Sequence, residues 1–268
     1  MNDSRGSVLV FDSGMGGLTI AREIMALAPD LVVNYAADSG FFPYGDKSDE
    51  ALRRRLPAVA MALVENVQPD VFVIACNTAS TLALDAVRKV LDIPVVGTVP
   101  AIKPAAAMSQ TKTIGLLATP GTVRRAYTAQ LIDEFASDVR VIMHGSVELV
   151  RLAEEQASGG AVSLDAFREA QRPLFEAAGG DEIDTVVLAC THFPLIRGEL
   201  AASVPQAVTF VDSGEAIARQ TLRVLPDQAQ GSVQIGGRVF LTSDPVEQGR
   251  LLEVCRRFGF DQVKTIDV

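Results

Sequence analysis

Tryptophan is absent from this 268-residue chain, and cysteine occurs only three times. Cys76, Cys190 and Cys255 form an odd, sparse set with no CxxC pair. That argues against a disulfide framework and reads as free thiols of a reducing compartment. The two histidines, His144 and His192, are too few for a His-rich metal site. Basic residues are also short: 24 Lys and Arg face 33 Asp and Glu, a formal charge of −9. This balance argues against a nucleic-acid partner, which needs a basic face to displace counterions. A small anionic substrate stays open, because backbone amides in one pocket can hold it. No apolar run approaches the ~20 residues of a spanning helix, so no membrane association is expected. The opening MNDSRGSVLVF has one Arg and a short apolar run stopped by Asp12. It reads as a first strand and not as a signal peptide, and a cytoplasmic location is the expectation.

What is present is alternation. Short apolar runs predict strands at Ser7–Phe11, Leu31–Ala36, Val71–Ala75, Pro94–Gly97, Thr113–Ala118, Val139–Met143, Thr185–Ala189, Val208–Val211 and Arg238–Leu241. Amphipathic stretches between them, such as Asp49–Asn66, Ser80–Leu91 and Leu164–Ala178, predict helices. With 48% hydrophobic residues the chain can bury a substantial core, and its length suits one large domain or two small ones. The βαβα order predicts parallel sheets covered by helices, with ligands at the carboxyl ends of strands.

An approximate repeat runs through the chain. VLVF-DSGMGG and VFVIA-CNTAS in the first half answer to IGLLA-TPGT and TVVLA-CTHFP in the second. The two Ala-Cys steps stand 114 residues apart. The expectation is an α/β fold of two similar lobes, each a mainly parallel sheet flanked by helices, with the active site in the cleft between them. Residues 1–98 plus 212–268 form the first lobe in this reading, and residues 99–211 the second.

The residues suited to chemistry gather at predicted strand ends. In both ACNTAS and ACTHFP a strand delivers a cysteine to the start of a predicted helix. A helix N-terminus favours negative charge and can activate a thiol. Asn77, Thr78 and Thr191 add short hydrogen-bonding groups suited to a carboxylate. Asp12 and Ser13 follow a strand directly, with Asp12 placed to meet an ammonium group or orient a thiol. FDSGMGGL matches neither GxGxxG nor a phosphate-binding GxxxxGKS loop, so nucleotide binding is poorly supported. Tyr44 and Gly45 form a PYG turn; Tyr44 is either a surface aromatic or a phenol closing the cleft. Thr119 and Thr122 mark another strand-to-helix junction, and His192 sits two residues beyond Cys190. Cys255, in a helical LLEVCRRF pattern, reads as an inert core thiol.

In their order and spacing, FDSGMGGL, ADSGFFPYG, ACNTAS, the VELVRLAEE segment and ACTHFPL closely resemble the glutamate racemases of the aspartate/glutamate racemase superfamily. The HFPL spelling and long C-terminal segment are similar to the proteobacterial branch. The resemblance implies cofactor-independent interconversion of L- and D-glutamate for peptidoglycan synthesis, with no metal. It assigns the two thiols to Cys76 and Cys190, with Cys190 facing L-glutamate. It puts Asp12, Ser13, Tyr44, Gly45, Asn77, Thr78, Thr191 and His192 on substrate or auxiliary positions. Asp38 and Glu154 match acidic positions with supporting roles, and Glu155 stands beside Glu154. Phe41-Phe42 departs from the pattern, since many members carry a basic or small residue there.

The chemistry is consistent with that assignment. Inverting a stereocentre takes a base on one face and an acid on the other, and two thiols can serve. A pyridoxal enzyme would need a Schiff-base lysine, and the five lysines stand outside every strand-end motif. Two alternatives stay open: a superfamily racemase acting on aspartate or a hydantoin, and a non-enzymatic two-lobed amino-acid binding protein. A homodimer and activation by a peptidoglycan precursor are left open.

Overall fold

The computed structural model describes residues 6–226 and 236–268. In chain order the strands are β1 (Ser7–Asp12), β2 (Val32–Ala37), β3 (Val71–Ile74), β4 (Val95–Gly97), β5 (Thr113–Ala118), β6 (Arg140–Gly145), β7 (Thr185–Ala189), β8 (Thr209–Val211), β9 (Arg238–Leu241) and β10 (Gln262–Thr265). They form two sheets, ordered β10-β9-β2-β1-β3-β4 and β6-β5-β7-β8, and every pairing is parallel. Two compact units result: Met1–Thr98 with Gly214–Val268, and Val99–Ser213.

In the first unit β1 is buried along its whole length. A parallel strand covered on both faces must be apolar at consecutive positions, which is why SVLVF reads as a continuous run. Leu9, Phe11, Phe72 and Ile74 pack with Leu52, Leu56, Val59 and Leu63 of the helix Asp49–Val67 and with Ala79, Leu82 and Ala83 of the helix Asn77–Arg88. The helices Leu18–Leu27 and Gly214–Val224 pack on each other and touch β1 and β3. In the second unit Ile114, Leu116, Val187 and Ala189 pack against Ile102, Ala105 and Ala106 of the helix Ile102–Met108.

The repeat appears as topology. The order β2-β1-β3-β4 of the first unit recurs as β6-β5-β7-β8 in the second. Even the lower ends match. Asp70, just before β3, accepts hydrogen bonds from the Ser7 N–H at 2.7 Å and its hydroxyl at 2.8 Å. Asp184, just before β7, accepts from the N–H groups of Gln110 at 2.6 Å and Thr111 at 2.9 Å. Each carboxylate ties the foot of a cysteine-bearing strand to the foot of the central strand or the loop leading into it, so both pairs are anchored alike.

Most strand limits shift from the sequence reading by a residue or two, and three elements need correcting. The third helix begins at Asn77 and not Ser80, because Cys76 is its N-cap and its carbonyl accepts from the Ser80 N–H at 2.9 Å. After Cys190 the chain makes a 3-10 turn, Phe193–Ile196, and an α-helix starts only at Arg197. Pro194 disfavours the α conformation at the residue before it. The edge strand β10 has no counterpart among the strands the sequence predicts. Its four residues QVKT are all exposed, so no apolar run announced it.

Candidate active site

In an open parallel sheet, ligands bind where consecutive connections leave to opposite sides of one strand. That point lies between β1 and β3 in the first unit and between β5 and β7 in the second. The two cysteine motifs stand at these two points.

At the first switch point Asp12 ends β1 and is fully buried. Its Oδ1 accepts from the Gly14 N–H at 2.7 Å and from the Ser13 hydroxyl at 3.3 Å. Ser13 Oγ lies 4.0 Å from Cys76 Sγ, so a short polar chain links the carboxylate to the thiol. Gly17 lets the loop pass this close: a Cβ there would meet Asp12 Cβ and Ala75 Cβ, both at 2.9 Å. Cys76 is 6% exposed and caps a 12-residue helix, whose N-terminus favours its anionic form. Asn77 and Thr78 occupy the helix's first turn and are buried. Asn77 Oδ1 is buried with no hydrogen-bond partner among the described residues.

Tyr44 and Gly45 lie in a 3-10 turn, Tyr44–Asp46. Tyr44 is not a surface aromatic: it is buried and shares a core cluster with Cys76. Its hydroxyl donates to Asp38 Oδ2 at 2.6 Å. Burial and the neighbouring carboxylate push the phenol well above its usual pKa, so it stays a neutral donor. Asp38 is also held by Arg55 and by the Thr242 hydroxyl. Neither of those residues belongs to a recognisable motif; Arg55 closes an ordinary run of three arginines on a helix.

The second switch point is built differently. Thr119 ends the β5 connection and caps the short helix Pro120–Arg124 by accepting from the Thr122 N–H at 3.4 Å. The Thr119 and Thr122 hydroxyls are 3.1 Å apart and both residues are buried. Cys190, also 6% exposed, follows β7, with Thr191 and His192 buried after it. His192 Nδ1 lies 3.9 Å from Cys190 Sγ, and its Nε2 lies 3.0 Å from Glu154 Oε1. Burial alone would lower the imidazole pKa. The hydrogen bonds to Cys190 and Glu154 outweigh it, and His192 is held well above its usual value. Where Cys76 has a long helix N-terminus, Cys190 has an imidazolium backed by a carboxylate. Glu155 is not the partner: its carboxylate turns towards Gly160. Burial pushes the Cys255 thiol up to about 12.

The family model of the Asp/Glu/Hydantoin racemases matches residues 18–221. This chain belongs to that family. The racemase is 45% identical over its 268 residues to the glutamate racemase of Escherichia coli O139:H28, covering all of this chain and 93% of the relative. Its fold matches the crystal structure of Escherichia coli glutamate racemase in complex with L-glutamate and the activator UDP-MurNAc-Ala. The TM-score is 0.92 at 45% identity, over 98% of this chain and 99% of the other. It also matches glutamate racemase isoform RacE1 from Bacillus anthracis, with a TM-score of 0.80 at 26% identity, over 99% and 98% of the two chains. Among its described residues, no helix is long and apolar enough to cross a membrane.

Proposed function

We propose that this racemase interconverts L- and D-glutamate by a two-base mechanism, with Cys76 and Cys190 as the bases and no metal or cofactor. One observation carries the reading: two thiols occupy the same switch point in two units of like topology. One thiol, as thiolate, takes the α-proton from one face of the substrate. The other, as thiol, delivers a proton to the opposite face. The pair then stands in the reverse state, ready for the other enantiomer.

Each thiol has its own auxiliary. Asp12 reaches Cys76 through Ser13, and His192 reaches Cys190 with Glu154 behind it. The imidazolium beside Cys190 can return a proton when the thiol has given one up. The α-proton of an amino acid is weakly acidic, so charge developing at Cα and the carboxylate needs donors already in place. Thr119, Thr122 and Thr191 on one unit, with Asn77 and Thr78 on the other, are buried hydroxyl and amide groups suited to that work. The unpartnered Asn77 Oδ1 suits a substrate ammonium.

The glutamate specificity and activation by UDP-MurNAc-Ala are extended to this chain from its relatives, and the supply of D-glutamate for peptidoglycan and a cytoplasmic site of action from the family resemblance of its motifs. The test is a circular-dichroism assay on L- and D-glutamate beside L- and D-aspartate. Turnover of both glutamate enantiomers, with aspartate slower, is expected; turnover of aspartate alone would overturn the substrate assignment. Run from L-glutamate in D₂O and stopped early, the reaction should place deuterium at Cα of D-glutamate and not in the remaining L pool. Early label in the L pool would mean one shared base.

A further inference from the structure

We propose that Arg55 is a positioning residue for the Cys76 half-site, acting through Asp38 and Tyr44, with Thr242 completing the clamp. The inference rests on the reading that Cys76 is one of the two bases.

Asp38 is fully buried at the end of β2, and its N–H donates to the Asp12 carbonyl at 3.0 Å. Four donors reach its carboxylate. Arg55 forks across both oxygens, Nη2 to Oδ1 at 2.8 Å and Nε to Oδ2 at 3.1 Å. The Thr242 hydroxyl donates to Oδ1 at 2.6 Å, and the Tyr44 hydroxyl to Oδ2 at 2.6 Å. A buried carboxylate served by four donors has little acceptor capacity left, so its orientation is settled. Tyr44 packs in one cluster with Cys76, Phe11 and Ala79. Asp38 therefore aims the ring that shares this cluster with the thiol, and Arg55 aims Asp38.

The rest of the loop is fastened to the same place. The Gly40 N–H donates to Thr242 Oγ1 at 3.0 Å, and the Ser39 and Ser243 hydroxyls are 2.7 Å apart. Arg55 Nη1 donates to the main-chain oxygen of Val268 at 3.0 Å. Phe41, where the sequence departs from the family spelling, lies under two cations: the Arg55 guanidinium is 5.6 Å from its ring centre and the Lys47 ammonium 4.9 Å. Its ring meets Tyr44 edge-on at 6.4 Å. Phe41 thus backs the guanidinium that holds Asp38. A lysine at residue 55 could supply the charge but not the planar fork.

The experiment labels the full chain with iodoacetamide and follows each thiol by mass spectrometry. In Arg55→Met the labelling of Cys76 should rise several-fold while that of Cys190 stays at the wild-type rate. The same variant should lose roughly 100-fold in kcat/KM, the scale expected when a reacting group is misplaced by about 1 Å. Millimolar guanidinium should return part of that loss, and sodium chloride at equal ionic strength should not. Thr242→Val, which removes one hydroxyl donor, should move Cys76 in the same direction by less, and serves if Arg55→Met fails to fold. Unchanged Cys76 labelling, or an equal rise at Cys190, would overturn the proposal. A wild-type protein that leaves glutamate untouched, yet shows the selective Cys76 response on substitution, would sink the proposed function and keep the positioning role.

Discussion

Replacing Glu154 by Gln keeps the shape of the His192 partner and removes its charge. In the wild type His192 Nε2 lies 3.0 Å from Glu154 Oε1, with the imidazole 3% exposed. A hydrogen bond to a charged group contributes about 1.5–3 kcal/mol, and a neutral one about 1 kcal/mol. The substitution therefore costs the imidazolium roughly 1–1.5 kcal/mol, which is about one pKa unit. The alkaline limb of the pH–kcat/KM profile should move down by about one unit, and above it the rate should fall roughly tenfold. Because the two enantiomers have equal free energy, kcat/KM must fall equally in both directions. The asymmetry belongs to the isotope effects. With α-deuterated L-glutamate the effect should rise, because abstraction at Cys190 becomes more limiting. With α-deuterated D-glutamate it should not rise, because abstraction there falls to Cys76. Equal rises for both enantiomers, or an unmoved pH profile, would refute the assignment of the His192–Glu154 pair to Cys190.

Cys76→Ala and Cys190→Ala should each abolish racemisation, whereas Cys255→Ala should leave it nearly intact and lower stability by about 1 kcal/mol, read by denaturant titration. Cys255, with its thiol pushed up to about 12, should also be the slowest of the three thiols to react with iodoacetamide near neutral pH. Protein dialysed against EDTA should keep full activity and show no absorbance of pyridoxal phosphate or flavin; recovery of a lost rate on adding a metal would contradict this. His192 bears on folding as well as catalysis. Its folded pKa lies above the unfolded value of about 6.5, so its stabilisation is complete below that pH and is lost as pH rises through the folded value. Thermal melts across that range should show the loss in the wild type and a flatter profile in His192→Ala.

Much of the fold was legible because buried parallel strands must be apolar at consecutive positions, as VLVF, TIGLLA and TVVLA are. The strand ends stood out because a sheet delivers polar residues there: Asp12 after VLVF, Cys76 after VFVIA, Cys190 after TVVLA. Those features are local, and local pattern is what a sequence records directly. What only the tertiary structure decided depends on groups distant along the chain. Glu154 and Glu155 are neighbours of one type, and a helix turn of about 100° between them means packing alone selects the one that meets His192. The apparent likeness of the two cysteine junctions hides a difference, a helix N-terminus at one and a histidine at the other, because the backbone after Cys190 takes a 3-10 turn. Asp38 gains Thr242 from 204 positions away. No motif spans such a distance; the sheet brings the two together by placing β9 beside β2.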